Sequence, residues 1–169
     1  MTLPLTEDQR MLQDAAQRFL ADRHPPAVAR GAAARSADAR LALWRDIAAQ
    51  GWPALLAPAA SDGLGLGLRE AWIVAEAAGR HLVSLPLVAN MVVLPTLCEA
   101  GLDGAPAHWA RVMMEGEAYF ADAALRPDGS AFFEGAGDGV PALAVRNIGP
   151  QALRCLLYTS DAADEGLGV

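Results

Sequence analysis

Apolar residues recur with helical spacing through most of the first 115 residues, and this periodicity constrains the fold more than any other feature. The first helix is predicted to begin at a capping box formed by Thr6 and Gln9 and to end at Pro25-Pro26. Further helices, separated by proline or glycine, are predicted over residues 26–34, 36–51, 68–81, 86–100 and 106–114. Gly51 is expected to end the helix over 36–51 in a C-cap position that favours a positive φ. The chain is therefore expected to be mostly α-helical, with five or six helices.

Two of these helices differ in their apolar pattern. The one over 68–81 is amphipathic, and its spacing predicts a buried stripe made of Ala71, Trp72, Ala75 and Ala78. The segment over 86–100 is apolar nearly all round, which predicts a helix buried on most sides.

After Gly116 the period changes from helical to extended. Residues 119–125 are predicted as a strand, 127–129 as a turn, and 131–133 and 142–145 as further short strands. The sequence thus divides into a helical domain over 1–115 and the start of a β region over 116–154.

Composition excludes several classes of function. The chain has 13 basic and 20 acidic residues among 169, a net charge of -7, so it lacks the positive surface that a nucleic-acid partner requires. All its basic residues are arginines, which excludes a lysine nucleophile or a phosphate-loop lysine. No apolar run reaches the length of a membrane span and no secretory signal begins the chain, so we expect a cytoplasmic protein without membrane contact.

No catalytic constellation is visible in the sequence itself. The run Gly63, Gly65, Gly67 suggests a dinucleotide loop, but no credible strand precedes it, so a turn that leads into a helix is the preferred interpretation. The three histidines lie in separate segments without metal-ligand spacing, and neither a serine nor Cys98 has a nucleophile motif. From the residues alone we expect no metal site and no catalytic residue, and we identify no cofactor-binding residue.

A series of segments resembles the N-terminal domain of acyl-CoA dehydrogenases in order and spacing, over about residues 3–115. These segments are residues 5–12, Phe19-Leu20, Leu43-Trp44-Arg45, Gly51-Trp52, 63–66 and 76–80. The resemblance implies an N-terminal helical domain followed by the first strands of a truncated middle β-domain, which in the family is a β-barrel.

The resemblance also implies the reaction. Acyl-CoA dehydrogenases introduce a double bond between the α and β carbons of an acyl-CoA thioester, where a glutamate takes the α-proton and FAD accepts the β-hydride. In the family that glutamate belongs to the C-terminal domain and most flavin contacts come from the middle and C-terminal domains. We therefore expect the chain as given to be inactive and to bind no FAD. The full-length parent would use acyl-CoA and an electron-acceptor flavoprotein, and would form a homo- or hetero-oligomer.

What the resemblance assigns to this domain is part of the wall of the acyl pocket. The corresponding residues here are Val88, Ala89, Asn90, Met91 and Val93. The alternative is that these are core residues only. Asn90 is the one polar residue among them, and burial would require it to find hydrogen-bond partners.

Two departures from the family pattern leave a second function open. The loop over 58–63 lacks the acidic-aromatic-Gly-Gly sequence that is common in the family. Residues 123–127 lack the threonine and glutamate of a flavin-contacting segment. The alternative is a non-catalytic helical partner subunit or interaction module of a heteromeric acyl-CoA dehydrogenase, and a third possibility is an unrelated helical bundle.

Residues 155–169 do not resemble the rest of the chain. The stretch from Cys155 to Glu165 resembles the in-frame translation of a transposase mosaic-end adapter used in sequencing libraries. We expect the native reading frame to extend to about Arg154 and the tail to have no evolved structural role. A helical domain without its neighbouring domains should expose an apolar face, on the helix over 86–100, and should be poorly soluble.

Overall fold

Six α-helices make up most of the chain that the computed structural model describes, namely residues 4–31, 36–99, 105–125, 131–134, 142–149 and 152–158. The helices are α1 (Glu7–Arg23), α2 (Pro26–Arg30), α3 (Ala37–Ala48), α4 (Leu68–Arg80), α5 (Leu87–Glu99) and α6 (Ala105–Met114). Two short 3₁₀ turns, Trp52–Ala54 and Ala59–Ser61, lie between α3 and α4. The prediction of a mostly helical chain is confirmed.

Extended backbone follows α6 in four strands of one sheet. They are β1 (Ala121–Leu125), β2 (Ala131–Glu134), β3 (Ala142–Gly149) and β4 (Ala152–Tyr158), in the spatial order β2-β1-β3-β4. β1 pairs antiparallel with β2 and parallel with β3, and β3 pairs antiparallel with β4. The predicted turn at 127–129 and residues 159–169 of the adapter-like tail lie outside the described residues, whereas residues 155–158 of that tail belong to β4 and pair with β3. Strand pairing does not test the origin of these residues, so the assignment of the tail stays a prediction.

Local signals set the helix ends. The capping box is confirmed, since the Gln9 N–H donates to Thr6 Oγ1 at 3.2 Å and the Thr6 N–H donates to Gln9 Oε1 at 3.1 Å. Ser36 caps α3 by accepting the Ala39 N–H at 3.2 Å, and Gly51 beyond α3 adopts the predicted positive φ, 75°. α1 ends two residues before Pro25, as expected.

α1 and α4 lie side by side and run in the same direction. The Gln9 side chain that completes the capping box also donates to Glu70 Oε1 at 2.7 Å, and Glu70 Oε2 accepts the Gly67 N–H at 3.0 Å. Toward the other ends, Gln17 Oε1 lies 3.3 Å from His81 Nε2. One chain of hydrogen bonds therefore joins the N-termini of both helices.

The main core lies where α1, α3, α4 and α5 meet. Leu20, Trp44, Ile47, Val74 and Met91 are almost completely buried there. A second cluster joins α5 to α6 and includes Ala57, Leu94, Met113 and Phe120.

The predicted stripe of α4 is wrong at Trp72. Ala71 and Ala78 are buried as expected and Ala75 partly so, but Val74 and Ala77 complete the core face, and Trp72 is 55% exposed. The two registers differ by one residue, a rotation of about 100° around the helix. Alanine satisfies either register, so the pattern did not reveal which face turns inward.

The linked caps lead to a prediction about stability. Removing the Glu70 carboxylate in Glu70→Ala should lower the free energy of unfolding by about 1 kcal/mol, because the Gly67 N–H and the Gln9 amide both lose an acceptor. In a double-mutant cycle with Gln9→Ala, the two losses should be less than additive. Glu76→Ala on the same helix, which breaks only an exposed pair with Arg80, should cost about 0.3–0.5 kcal/mol, measured by urea denaturation.

The same contact has a pH dependence. Hydrogen bonding from Gln9 is the largest cause that lowers the pKa of Glu70 from its ordinary value of 4.5. Because the folded pKa lies below the unfolded one, the stabilisation is complete above the unfolded pKa and is lost as pH falls through the folded pKa. Denaturation at several pH values should show this loss in the wild type, and Glu70→Gln should remove that part of the slope.

Candidate functional site

An open apolar groove lies between α4 and α5. Its volume is about 220 Å³, and its lining is formed by Leu56, Leu68, Ala71, Trp72, Ala75, Val88, Met91 and Val92. No charged side chain lines it, and the tryptophan indole N–H is its one polar side-chain group. The groove can therefore accept an aliphatic chain or a second apolar surface, but the described residues give it no group that could transfer a proton.

The rim of the groove consists of large apolar side chains that are unusually exposed. Leu68 and Trp72 are 77% and 55% exposed on α4, and Val88 and Val92 are 54% and 56% exposed on α5. In each pair the residues are four apart, so both helices present a ridge to the same opening. Contiguous exposed apolar faces of this kind are typical of protein interaction surfaces and of ligand-binding grooves.

The structure separates the five residues that were predicted to form a pocket wall. Val88 and Met91 line the groove, whereas Ala89 is half-buried and does not line it. Asn90 is completely buried against the backbone of Phe120, and Val93 packs on the second cluster. The groove thus uses one face of α5, while residues 90 and 93 lie on another.

Sequence reasoning missed six groove residues as part of this site, namely Leu56, Leu68, Ala71, Trp72, Ala75 and Val92. An all-apolar α5 has no period that would separate an open face from a buried one, so Val92 carried no signal. The prediction that α5 is buried on most sides is correct for Leu87, Met91, Leu94 and Leu97 but wrong for Val88 and Val92. Trp72 was assigned to the core because its spacing places it on one stripe with Ala71, Ala75 and Ala78.

Asn90 finds the partners that its burial requires. Its Nδ2 donates to the carbonyl oxygens of Pro86 and Phe120, and its Oδ1 accepts the Phe120 N–H, each at 2.8 Å. Both amide hydrogens are used, so the carboxamide has no donor left for a ligand.

The glycine-rich loop offers no site for a phosphate. The four consecutive N–H groups from Gly63 to Leu66 donate to backbone carbonyls of residues 58, 54, 57 and 55, at 2.8–3.0 Å. The next N–H, of Gly67, donates to Glu70. Phosphate-binding loops depend on free N–H groups that point at the ligand. The interpretation of this run as a turn that leads into a helix is therefore the one that the geometry favours.

The histidines and the cysteine do not form a site. Within the described residues there is no group of three or more His, Cys, Asp or Glu side chains that could hold a metal ion. Burial is the largest cause that raises the pKa of the half-buried Cys98 thiol, which disfavours the nucleophilic thiolate. Among these same residues, no helix is both long and apolar enough to cross a membrane.

Comparison with known proteins yields one family. The sequence profile described as "Acyl-CoA dehydrogenase, N-terminal domain" matches residues 6–117, which include all six helices. A search of curated proteins finds no match to the chain.

The close packing of Gly63 against the Ala57 backbone leads to a prediction about stability. A Cβ at this position would lie 2.2 Å from the Ala57 carbonyl oxygen, so Gly63→Ala should lower the free energy of unfolding by about 2–3 kcal/mol. Gly79→Ala is the matched control, since nothing lies within 4 Å of a Cβ there. It should stabilise the chain by roughly 0.5–1 kcal/mol, because alanine favours the helix interior. Equal effects of the two substitutions in urea denaturation would contradict the observed packing of the loop.

The exposed groove rim predicts self-association of the isolated chain. Val92→Asp should weaken that association about tenfold or more, because burying a valine contributes about 1.5–3 kcal/mol. Val28→Asp, at an exposed valine on α2, makes the same charge change away from the groove and should have little effect. Sedimentation equilibrium measures both, and a wild-type chain that stays monomeric at millimolar concentration would refute the prediction.

Proposed function

Because the chain belongs to the acyl-CoA dehydrogenase family through its N-terminal domain, we propose that it serves the FAD-dependent α,β-dehydrogenation of an acyl-CoA thioester. Its own contribution is the apolar groove between α4 and α5, which forms one wall of the site for the acyl chain. The observation that supports this role is a lining without charge, on the helix that the family resemblance assigns to that wall.

The groove suits the aliphatic part of such a substrate. An acyl chain has no hydrogen-bonding group beyond its thioester. The side chains of Val88, Met91 and Val92 can therefore contact it without leaving a polar group unpaired. The CoA phosphates need donors that the lining does not supply, so in the proposal they lie outside the groove. In the proposal, the groove discriminates between acyl chains of different length, while the thioester reacts outside the groove.

We propose that neither the glycine-rich loop nor the groove holds FAD. The FAD pyrophosphate would need hydrogen-bond donors, and the N–H groups of the glycine-rich loop are occupied within the protein. The isoalloxazine ring needs donors and acceptors at its polar edge, which the groove lining lacks apart from one indole N–H. We therefore derive no step through the flavin from this chain. In the proposal, flavin and catalytic base are held by groups other than these, and the chain alone is inactive.

The proposal also covers domain organisation and context. Residues 1–115 form the helical domain, β1 begins the middle β-domain over 116–154, and residues 155–169 are adapter-derived. The parent protein is a cytoplasmic homo- or hetero-oligomer that passes its electrons to an acceptor flavoprotein.

The same apolar face supports a second candidate function. Its ridges of Leu68, Trp72, Val88 and Val92 are equally suited to pack against another protein chain. In that case the chain is a non-catalytic partner subunit of a heteromeric acyl-CoA dehydrogenase. Binding of acyl-CoA to the chain favours the first function, and formation of a complex with a separate dehydrogenase chain without acyl-CoA binding favours the second.

The test uses Trp72, which is the most exposed tryptophan of the described chain and lines the groove. Titration with butyryl-, octanoyl- and dodecanoyl-CoA should shift its fluorescence emission to shorter wavelength as the groove loses water. Each added CH₂ should tighten binding by up to about 0.8 kcal/mol, or about fourfold, until the groove is full. Free CoA should produce no shift.

Matched valine variants locate the binding. Val88→Ser should weaken octanoyl-CoA binding several-fold, whereas Val28→Ser on α2 should leave it unchanged. Calorimetry with Trp72→Phe should report binding after the fluorescence signal is lost. Affinity that is independent of chain length would refute the acyl-wall proposal. Acyl-CoA-dependent reduction of an electron acceptor by this chain with added FAD would refute its inactivity.

A further inference from the structure

A single side chain connects the groove-lining helix to the chain that follows α6. Asn90 lies on α5, between Val88 and Met91 of the groove, and its carboxamide reaches the backbone of Phe120, thirty residues later. Phe120 directly precedes β1. We propose that Asn90 is a positioning residue that holds the groove at a fixed distance from the segment that enters β1.

The geometry of the contact is that of a strand pair. Asn90 Nδ2 donates to the Phe120 carbonyl and Asn90 Oδ1 accepts the Phe120 N–H, both at 2.8 Å. A planar carboxamide presents a donor and an acceptor side by side, which matches the N–H and C=O of one residue as a neighbouring strand would. The second Nδ2 hydrogen goes to Pro86, in the turn of chain before α5, and this fixes the side-chain plane.

No other common side chain of this size replaces the contact. Leucine would remove the side-chain partners of the Phe120 N–H and C=O in a site where residue 90 is completely buried, while the Pro86 carbonyl would keep only the backbone N–H of residue 90. Aspartate would direct a carboxylate oxygen at the carbonyls of Pro86 and Phe120, where both partners are acceptors.

The aromatic residues at positions 119 and 120 place the Asn90–Phe120 contact between the main core and the second cluster. The ring of Tyr119 lies 5.6 Å from Trp44 in the main core, and the ring of Phe120 lies 5.3 Å from Trp109 in the second cluster. Aromatic rings pack the side chains of this segment, and Asn90 binds both its backbone N–H and its C=O at Phe120. Motion of α5 on ligand binding is therefore transmitted to residues 119–121 through that carboxamide.

Hydrogen exchange of the whole chain distinguishes positioning from simple stabilisation. Asn90→Leu should accelerate exchange of the Phe120 amide about tenfold or more relative to amides in the middle of α1. Val93→Ala, one turn further along α5 in the second cluster, is the control and should accelerate both sets of amides by a common factor. If Asn90→Leu does not fold, Asn90→Ala, which also removes both the donor and the acceptor, is measured instead. The proposal would be overturned if the residue-90 variant accelerated exchange at Phe120 and in the middle of α1 by the same factor. It would also be overturned if exchange at Phe120 did not change.

A ligand arm extends the test and rests on the proposed function. Octanoyl-CoA should slow exchange of the Phe120 amide in the wild type but not in Asn90→Ala, although that variant should bind octanoyl-CoA within a few-fold of the wild type. Slowing that persists in the variant would overturn the transmission through Asn90. If octanoyl-CoA does not bind the wild type, the proposed function fails, and the ligand-free exchange pattern still decides the role of Asn90.

Discussion

The organisation of the helical unit depends on the covering of α5. This helix is apolar on nearly every side, and water is excluded from it only where another element packs against it. α4 and the turn at Trp52–Ala54 cover one part and α6 covers another, so that Met91 and Leu94 are buried in two different clusters. The strip with Val88 and Val92 is left uncovered by the described residues. The groove is therefore a consequence of how few neighbours α5 has here, and its apolar character follows from the composition of the helix.

Features that depend on contacts within a few residues were predictable from the sequence. The capping box at Thr6, the end of α1 before Pro25 and the positive φ of Gly51 each require only local backbone geometry, and each is found where it was expected. The family and the mostly helical fold followed from the order of such signals. The need of Asn90 for a partner was also predictable, because an amide cannot be buried unpaired.

Features that depend on the register between helices were not predictable. Whether Trp72 or Val74 faces the core is decided by how α4 packs on α1, and the alanines around them fit both arrangements. The partner of Asn90 is thirty residues away, so no spacing in the sequence points to Phe120. For the same reason the sequence did not separate Val88 and Met91, which line the groove, from Asn90, which does not.

The glycine-rich loop shows why hydrogen-bond accounting separates similar sequence patterns. A run of glycines permits both a phosphate-binding loop, in which N–H groups stay free, and a tightly packed turn, in which they are consumed. Glycine is required at position 63 because a Cβ there would collide with the Ala57 backbone, and the N–H groups that follow it donate to carbonyls of residues 54–57. The loop thereby fixes the start of α4, and with it Leu68 and Trp72 at the mouth of the groove. Glycine at position 63 therefore helps to position an apolar surface here and does not contribute to a phosphate site.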